Sequence, residues 1–184
     1  MIFRLIEDVK STIVSIKNEI KNDIEAVQKR DPAARGKVEI FLTNQGVHAI
    51  LLYRVAHLCY INNYKFIAKI ISQVARSFTG IEIHPACFIG RGLLIDHGIG
   101  VVIGETAIIG DDCTILHGVT LGSRGNSKGK RHPTLHNCVF VGAGAKILGN
   151  IEIGNNAKIG ANAVVLNDIP DNTTAVGVPA RIIR

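Results

Sequence analysis

His97 is the side chain in this sequence best suited to act as a general base. It lies in IDHGIG, beside Asp96, where a surrounding repeat slips by two residues, so its ring can leave the regular inward and outward alternation. An imidazole that takes a proton from a hydroxyl needs a partner that fixes its tautomer and favours its protonated form. Glu82 lies 15 residues upstream, three short of one turn of that repeat, and could reach His97 across neighbouring turns. A purely structural, hydrogen-bonding histidine fits the same spacing equally well. Taken alone, Asp31 before Pro32 reads as a helix N-cap and Arg131 as a solvated charge. His84, His117 and His132 raise a zinc reading, since three histidines can close a metal site across a subunit boundary. The HxxxxH pair that such sites use is missing from their spacing, and no metal is expected.

The elements that must position these groups fall into two regions, a helical domain over 1–79 and a repeat domain over 80–184. In the first, Ile2, Leu5, Ile6, Val9, Ile13, Ile16, Ile20 and Ile24 recur at three- and four-residue steps, which predicts one long amphipathic helix. A second helix is expected from about Gln45 and a third over about Lys65 to Phe78, with Asp31-Pro32 and Thr43-Asn44 as breaks. Beyond Gly80, aliphatic residues recur every six positions: Ile83, Ile89, Ile95 and Val101, then after the slip Ile103, Ile109, Ile115 and Leu121. After a loop at about 123–132 they resume as Leu135, Val141, Ile147, Ile153, Ile159 and Val165. Six residues match neither a helix nor a long strand, so the unit is a short strand plus a turn. Three units make one triangular coil of about 18 residues, and the 14 starts imply between four and five coils.

Composition agrees with such a prism. Aromatic residues are 5% of the chain and Trp is absent, so thin layers of Ile, Val, Leu and Ala must fill the core. The net charge of +6 would suit nucleic acid, an acidic membrane surface or an anionic small molecule. Basic residues cluster only in RGNSKGKRH, with no interleaved aromatic side chains for stacking bases, so nucleic acid is not expected. No long apolar span or secretory segment appears, and Cys59, Cys87, Cys113 and Cys138 form no CxxC pair. A reduced, cytoplasmic protein without membrane attachment is the economical reading. The cysteines of the repeat are expected to be small core or turn residues.

The segment TGIEIHPACFIGRGLLIDHGIGVVIGETA, followed by HGVTLG, GKRHPT, VGAGAKILG, NAKIGANAVV and VGVPARI, resembles the serine acetyltransferases of the hexapeptide-repeat superfamily. DPAARG and HAILLYRVAH extend the likeness more loosely into the helical region. The resemblance implies an α+β protein, a helical region followed by a left-handed parallel β-helix, that transfers acetyl from acetyl-CoA to the hydroxyl of L-serine. This would be the first step of cysteine biosynthesis from serine. By resemblance His97 is the general base and Glu82 its orienting carboxylate, one methylene longer than the family's usual Asp. Asp96 then binds serine, Arg131 and His132 hold its carboxylate, and Asp31 reaches its ammonium group. Gly122, Ser123, Ala143, Lys158 and Ala161 would line the acetyl-CoA groove, Ser123 standing where Gly is common. Transfer to another small hydroxyl acceptor, such as a sugar, is the alternative; a noncatalytic oligomeric scaffold is a second.

The family's habit also implies a homotrimer with active sites between neighbouring prisms, or a hexamer built from two trimers. Asp96 and His97 would come from one subunit and Arg131 with His132 from the next. The sequence stops after VPARIIR, without the Ile-ended tail by which many relatives dock into O-acetylserine sulfhydrylase. A cysteine synthase complex is therefore not expected. Inhibition by cysteine at the serine site is implied by the same resemblance.

Overall fold

The structure, a computed structural model, describes residues 18–31, 35–126 and 128–183. Most of the predicted first helix lies outside them. Its described part, α1 (18–30), presses Asp23, Ala26 and Val27 inward at helical spacing. A short helix, α2 (Lys37–Thr43), was not anticipated. At the expected break, the side chain of Asn44 accepts the Val47 N–H and caps α3 (Gln45–Ile61). This helix buries residues around its circumference, from Val47 and Ala49 to Tyr53 and Ala56, because α1, α4 and the β-domain enclose it. α4 (Lys65–Thr79) buries only the small residues Ala68, Ser72, Ala75 and Thr79. It stops at Gly80, whose φ of 70° returns an N–H to the Arg76 carbonyl. Among the described residues no helix is long and apolar enough to cross a membrane.

From Glu82 onward short parallel strands wind into a left-handed β-helix with three faces. Face A stacks Glu82–Ile83, Val102–Ile103, Thr120–Gly122, Lys146–Leu148 and Val164–Val165. Face B stacks Phe88–Ile89, Ile108–Ile109, Thr134–Leu135 and Glu152–Ile153, and face C runs from Leu94–Asp96 to Thr174–Val176. Arg181–Ile182 turns back antiparallel to close face C. The six-residue aliphatics point inward and are almost wholly buried, as at Ile103, Ile109, Ile115, Leu121, Ile147 and Ile153.

Register corrects two details of the repeat. Ile83 stacks on Ile103, so Val101 is not a repeat start. It belongs to a second buried layer of mostly smaller residues two positions earlier, with Cys87, Ala107, Cys113, Val119, Ala145, Ala157 and Ala163. The repeat also continues past Val165, because Ile169 stacks on Ile153 and Ala175 on Ile159, which completes five coils. A two-residue contraction before Ile169 conceals this continuation.

The edge between faces B and C is a ladder of side-chain caps. Asp111, Asn137, Asn155 and Asp171 each accept the backbone N–H one coil away, from Arg91, Asp111, Asn137 and Asn155 respectively. Asp112, Cys138, Asn156 and Asn172 follow them with positive φ, so Cys138 is a turn residue. Cys87 and Cys113 are core residues whose thiols burial pushes up to about 12 and about 11. The helices grip this edge: buried Arg54 pairs with buried Asp23 and donates to the Gly90 carbonyl, while Asp23 accepts the Gly92 N–H at 3.0 Å.

Candidate active site

The slip in the repeat is a sharp corner between faces C and A. His97 has φ 56° and Gly98 φ 22°, and the Ile99 N–H donates back to the His97 carbonyl at 2.5 Å. A Cβ on Gly98 would stand 2.3 Å from Cδ1 of buried Ile81, so only glycine lets the corner close over the core. The corner turns the His97 side chain outward, 78% exposed, with Nε2 3.8 Å from an Asp96 carboxylate oxygen. The His117 ring lies one coil along, 6.3 Å away and edge-on. Glu82 sits on face A, where its carboxylate pairs with Arg76 at 3.1 Å. Within one chain the described side-chain contacts of His97 are thus Asp96 and His117, and that of Glu82 is Arg76.

Ala143 and Ala161 occupy the same edge in later coils, and Lys158 stands exposed on face C nearby. Gly118 and Gly144 alternate with them so closely that a Cβ on Gly118 would be 3.4 Å from the Gly144 Cα. Backbone is therefore open to close approach along this edge. Lys146, on face A, caps it by donating to the Gly118 carbonyl and to Thr120 Oγ1.

The other set of groups lies at the far edge of face A, where the chain turns into face B. Thr106 organises it. Its N–H donates to His132 Nδ1 at 3.1 Å, and its hydroxyl oxygen accepts the N–H groups of Arg131 and His132. The His132 ring lies flat against Gly104, where a Cβ would come within 2.0 Å of it. Burial, reinforced by the Arg131 cation, holds the His132 pKa below its ordinary value. Arg131 is aimed by Glu105, whose carboxyl the guanidinium hydrogen bond keeps below the usual range. His84 stands one coil earlier, with Nδ1 accepting the Ala86 N–H and its pKa lowered by burial. The edge thus holds one guanidinium and two imidazoles whose Nδ1 atoms accept backbone N–H groups, which leaves the ring hydrogen on Nε2.

Gly122 and Ser123 open the inserted loop at this edge, the Ser123 hydroxyl turning to the Gly125 carbonyl. Arg124 fastens the loop by donating to the Leu166 carbonyl at 2.7 Å. Of the three histidines in the zinc reading, His84 and His132 share this edge, whereas His117 lies at the other. Among the described residues no cluster of three or more His, Cys, Asp or Glu could hold a metal ion. Asp31 directly follows the last residue of α1, its N–H donating to the Val27 carbonyl.

Spacing alone did not single out Glu105, Thr106 or Lys146. Glu105 and Arg131 meet although 26 residues apart, because the loop lengthens that coil. The strands of face A hold the two edges roughly 15 Å apart in one chain, at about 3.3 Å per residue. One edge offers a base, His97, beside an acid, Asp96; the other offers donors for an anion.

Residues 132–167 match the family model described as bacterial transferase hexapeptide (six repeats), and residues 1–51 match that of the serine acetyltransferase N-terminal region. A serine acetyltransferase of Helicobacter pylori is 59% identical over 165 residues, which cover 90% of this chain and 96% of that one. The structure of Neisseria gonorrhoeae serine acetyltransferase in complex with serine superposes with a TM-score of 0.88 at 44% identity, over 91% of this chain and 69% of that one. Serine acetyltransferase from Brucella abortus in complex with coenzyme A superposes with a TM-score of 0.89 at 43% identity, over 96% and 74%. With the prism, its helical cap and these relatives together, the chain belongs to the serine acetyltransferase family.

Proposed function

We propose that this protein transfers the acetyl group of acetyl-CoA to the hydroxyl of L-serine, giving O-acetyl-L-serine and CoA, the first step of cysteine biosynthesis from serine. The observation that carries this reading is the division of charge between the two edges of face A. Asp96 beside His97 suits a protonated amine and its neighbouring hydroxyl. Arg131 and the Nε2–H of His132 suit a carboxylate. A zwitterionic amino acid uses both sets, whereas a neutral sugar has no need of Arg131.

The two sets meet when prisms associate side by side, so that the edge bearing His97 faces the next prism's edge bearing Arg131 and His132. A closed trimer achieves this with one repeated interface. Between the prisms, the open backbone at Ala143 and Ala161 with Lys158, and Gly122 with Ser123 opposite, would line the acetyl-CoA groove. His97 takes the serine hydroxyl proton as the oxygen attacks the thioester carbonyl; the C–S bond then breaks and the imidazolium returns the proton to the departing thiolate. Glu82 is assigned to orient His97 in the assembled enzyme, which requires it to leave Arg76. Asp31 is assigned to the serine ammonium group.

Thiol release from acetyl-CoA, measured with serine, homoserine and a panel of neutral sugars, tests the reading. Serine is expected to be the best acceptor, and faster turnover with a sugar would overturn it. The His97→Ala variant is expected to lose at least about a hundredfold in kcat. A folded variant keeping more than about a tenth of wild-type turnover would remove His97 from the role of base.

A further inference from the structure

We infer that Arg30 is a positioning residue for the acceptor amino acid: it clamps the end of α1 to the prism and so sets the place of Asp31. The inference rests on the assignment of Asp31 to the serine ammonium group. Arg30 is the last residue of α1, and its guanidinium reaches across to two neighbouring coils. Nη1 donates to the carbonyls of Asp112 and Cys113 and to Thr114 Oγ1 at 3.1 Å, and Nη2 donates to the Gly92 carbonyl. Nε stays on its own helix, at the Ala26 carbonyl.

Gly92 is held from both sides by the same helix, since its N–H goes to Asp23 and its carbonyl to Arg30. Its φ of 66° and missing side chain allow this; a Cβ there would meet Asp112 Oδ1 at 2.6 Å and Ala26 at 3.6 Å. Asp23 and Arg30 are two helical turns apart, so the two grips fix both the rotation of α1 and the height at which it ends. The strands that begin beside this clamp, Leu94–Asp96 and Thr114–Leu116, end at Asp96 with His97 and at Leu116 with His117. Asp31 follows Arg30 directly. A guanidinium fork that spans two coils can hold this terminus in a way that a single hydrogen bond cannot.

The experiment compares wild type, Arg30→Ala, Arg30→Lys, Asp31→Asn and the Arg30→Ala/Asp31→Asn double variant by steady-state kinetics on the full chain. Arg30→Ala is expected to raise the KM for serine about tenfold, leaving kcat within about threefold and the KM for acetyl-CoA unchanged. Arg30→Lys, whose single ammonium reaches one coil only, should raise it about threefold. In the Asp31→Asn background the Arg30→Ala change should add less than about twofold, because the residue it positions is already disabled.

A full tenfold effect in that background, or an equal rise in both KM values, would overturn the inference. If Asp31→Asn raises the KM for serine and Arg30→Ala does not, the inference alone fails. If Asp31→Asn leaves that KM unchanged, the assignment of Asp31 fails and this inference with it. Should Arg30→Ala not fold, Thr114→Val removes one acceptor while keeping the side-chain shape. A rise of about twofold or more in the KM for serine then supports the clamp, and an unchanged value overturns it.

Discussion

The Thr106 backbone N–H points at Nδ1 of His132, 3.1 Å away, and its hydroxyl lies 2.9 Å from the same nitrogen. A backbone amide can only donate, so Nδ1 is unprotonated and the ring carries its hydrogen on Nε2. The same hydroxyl oxygen accepts the N–H groups of Arg131 and His132. One threonine therefore fixes the tautomer of His132 and the backbone of both residues in the proposed carboxylate clamp.

Thr106→Val should accordingly leave two backbone donors without their acceptor, at about 1–3 kcal/mol each where water cannot replace it. The KM for serine is expected to rise at least about tenfold while that for acetyl-CoA stays near wild type. An unchanged serine KM would show that Thr106 only closes a turn.

Acid should destabilise the fold through His84 and His132. Burial holds both pKa values below their ordinary level of about 6.5. The unfolded chain therefore takes up protons that the folded chain refuses. Their stabilising contribution is complete above the ordinary pKa and is lost as pH falls below it. Glu105, held below the usual carboxylate range by Arg131, adds a loss of the same sign at lower pH. The urea midpoint is expected to fall between pH 7.5 and 5.5, and His132→Asn, which keeps an acceptor but cannot titrate, should flatten that fall. An equally steep fall in the variant would assign the titration elsewhere.

The prism was legible in the sequence because every aliphatic start except Val101 is buried in phase, as Ile147 and Ile153 are. The two-residue slip correctly marked the corner that ejects His97. The same slip misled at Val101, because a β-helix buries a second residue two positions before each start, and a valine there imitates the main series. Glu105 with Arg131 was not legible for another reason. Coil spacing predicts partners only where coils have equal length, and the inserted loop changes the interval exactly at this pair's coil. The Arg76 partner of Glu82 lies on a helix, outside any period of the repeat.

Gly98→Ala tests the corner itself. The methyl group would collide with Ile81, and φ 22° disfavours any side chain, so the turn must open. Stability is expected to fall by about 1–3 kcal/mol. Because the turn carries His97, kcat should fall at least about tenfold even in the folded fraction. Circular dichroism melts with kinetics on the same samples separate the two effects, and wild-type kcat would show that His97 tolerates a relaxed corner.

Arg54→Met should be far more damaging than its charge loss suggests. Asp23, already pushed up by burial, would keep a carboxyl in the interior without its cation. Breaking such a pair costs about 3–5 kcal/mol. Arg91→Met removes the exposed, solvent-screened pair with Asp111 and should cost far less. Urea unfolding of both variants measures the contrast, and similar losses would show that α1 is not held to the prism through Arg54.

The position of the two half-sites at opposite edges of face A gives a test that needs no structure of the assembly. In a trimer whose sites each take His97 from one subunit and Arg131 from the next, a His97→Ala chain still supplies an intact Arg131, and an Arg131→Ala chain an intact His97. Each variant alone should be nearly inactive, since every one of its sites lacks a group. After unfolding and co-refolding in equal amounts, about a quarter of the interfaces would combine an intact His97 with an intact Arg131. Activity should therefore return to about a quarter of the wild-type value, whereas refolding each variant separately and then mixing should restore almost none while subunit exchange is slow. A site completed within one chain would predict no recovery in either case, because no chain in the mixture carries both groups.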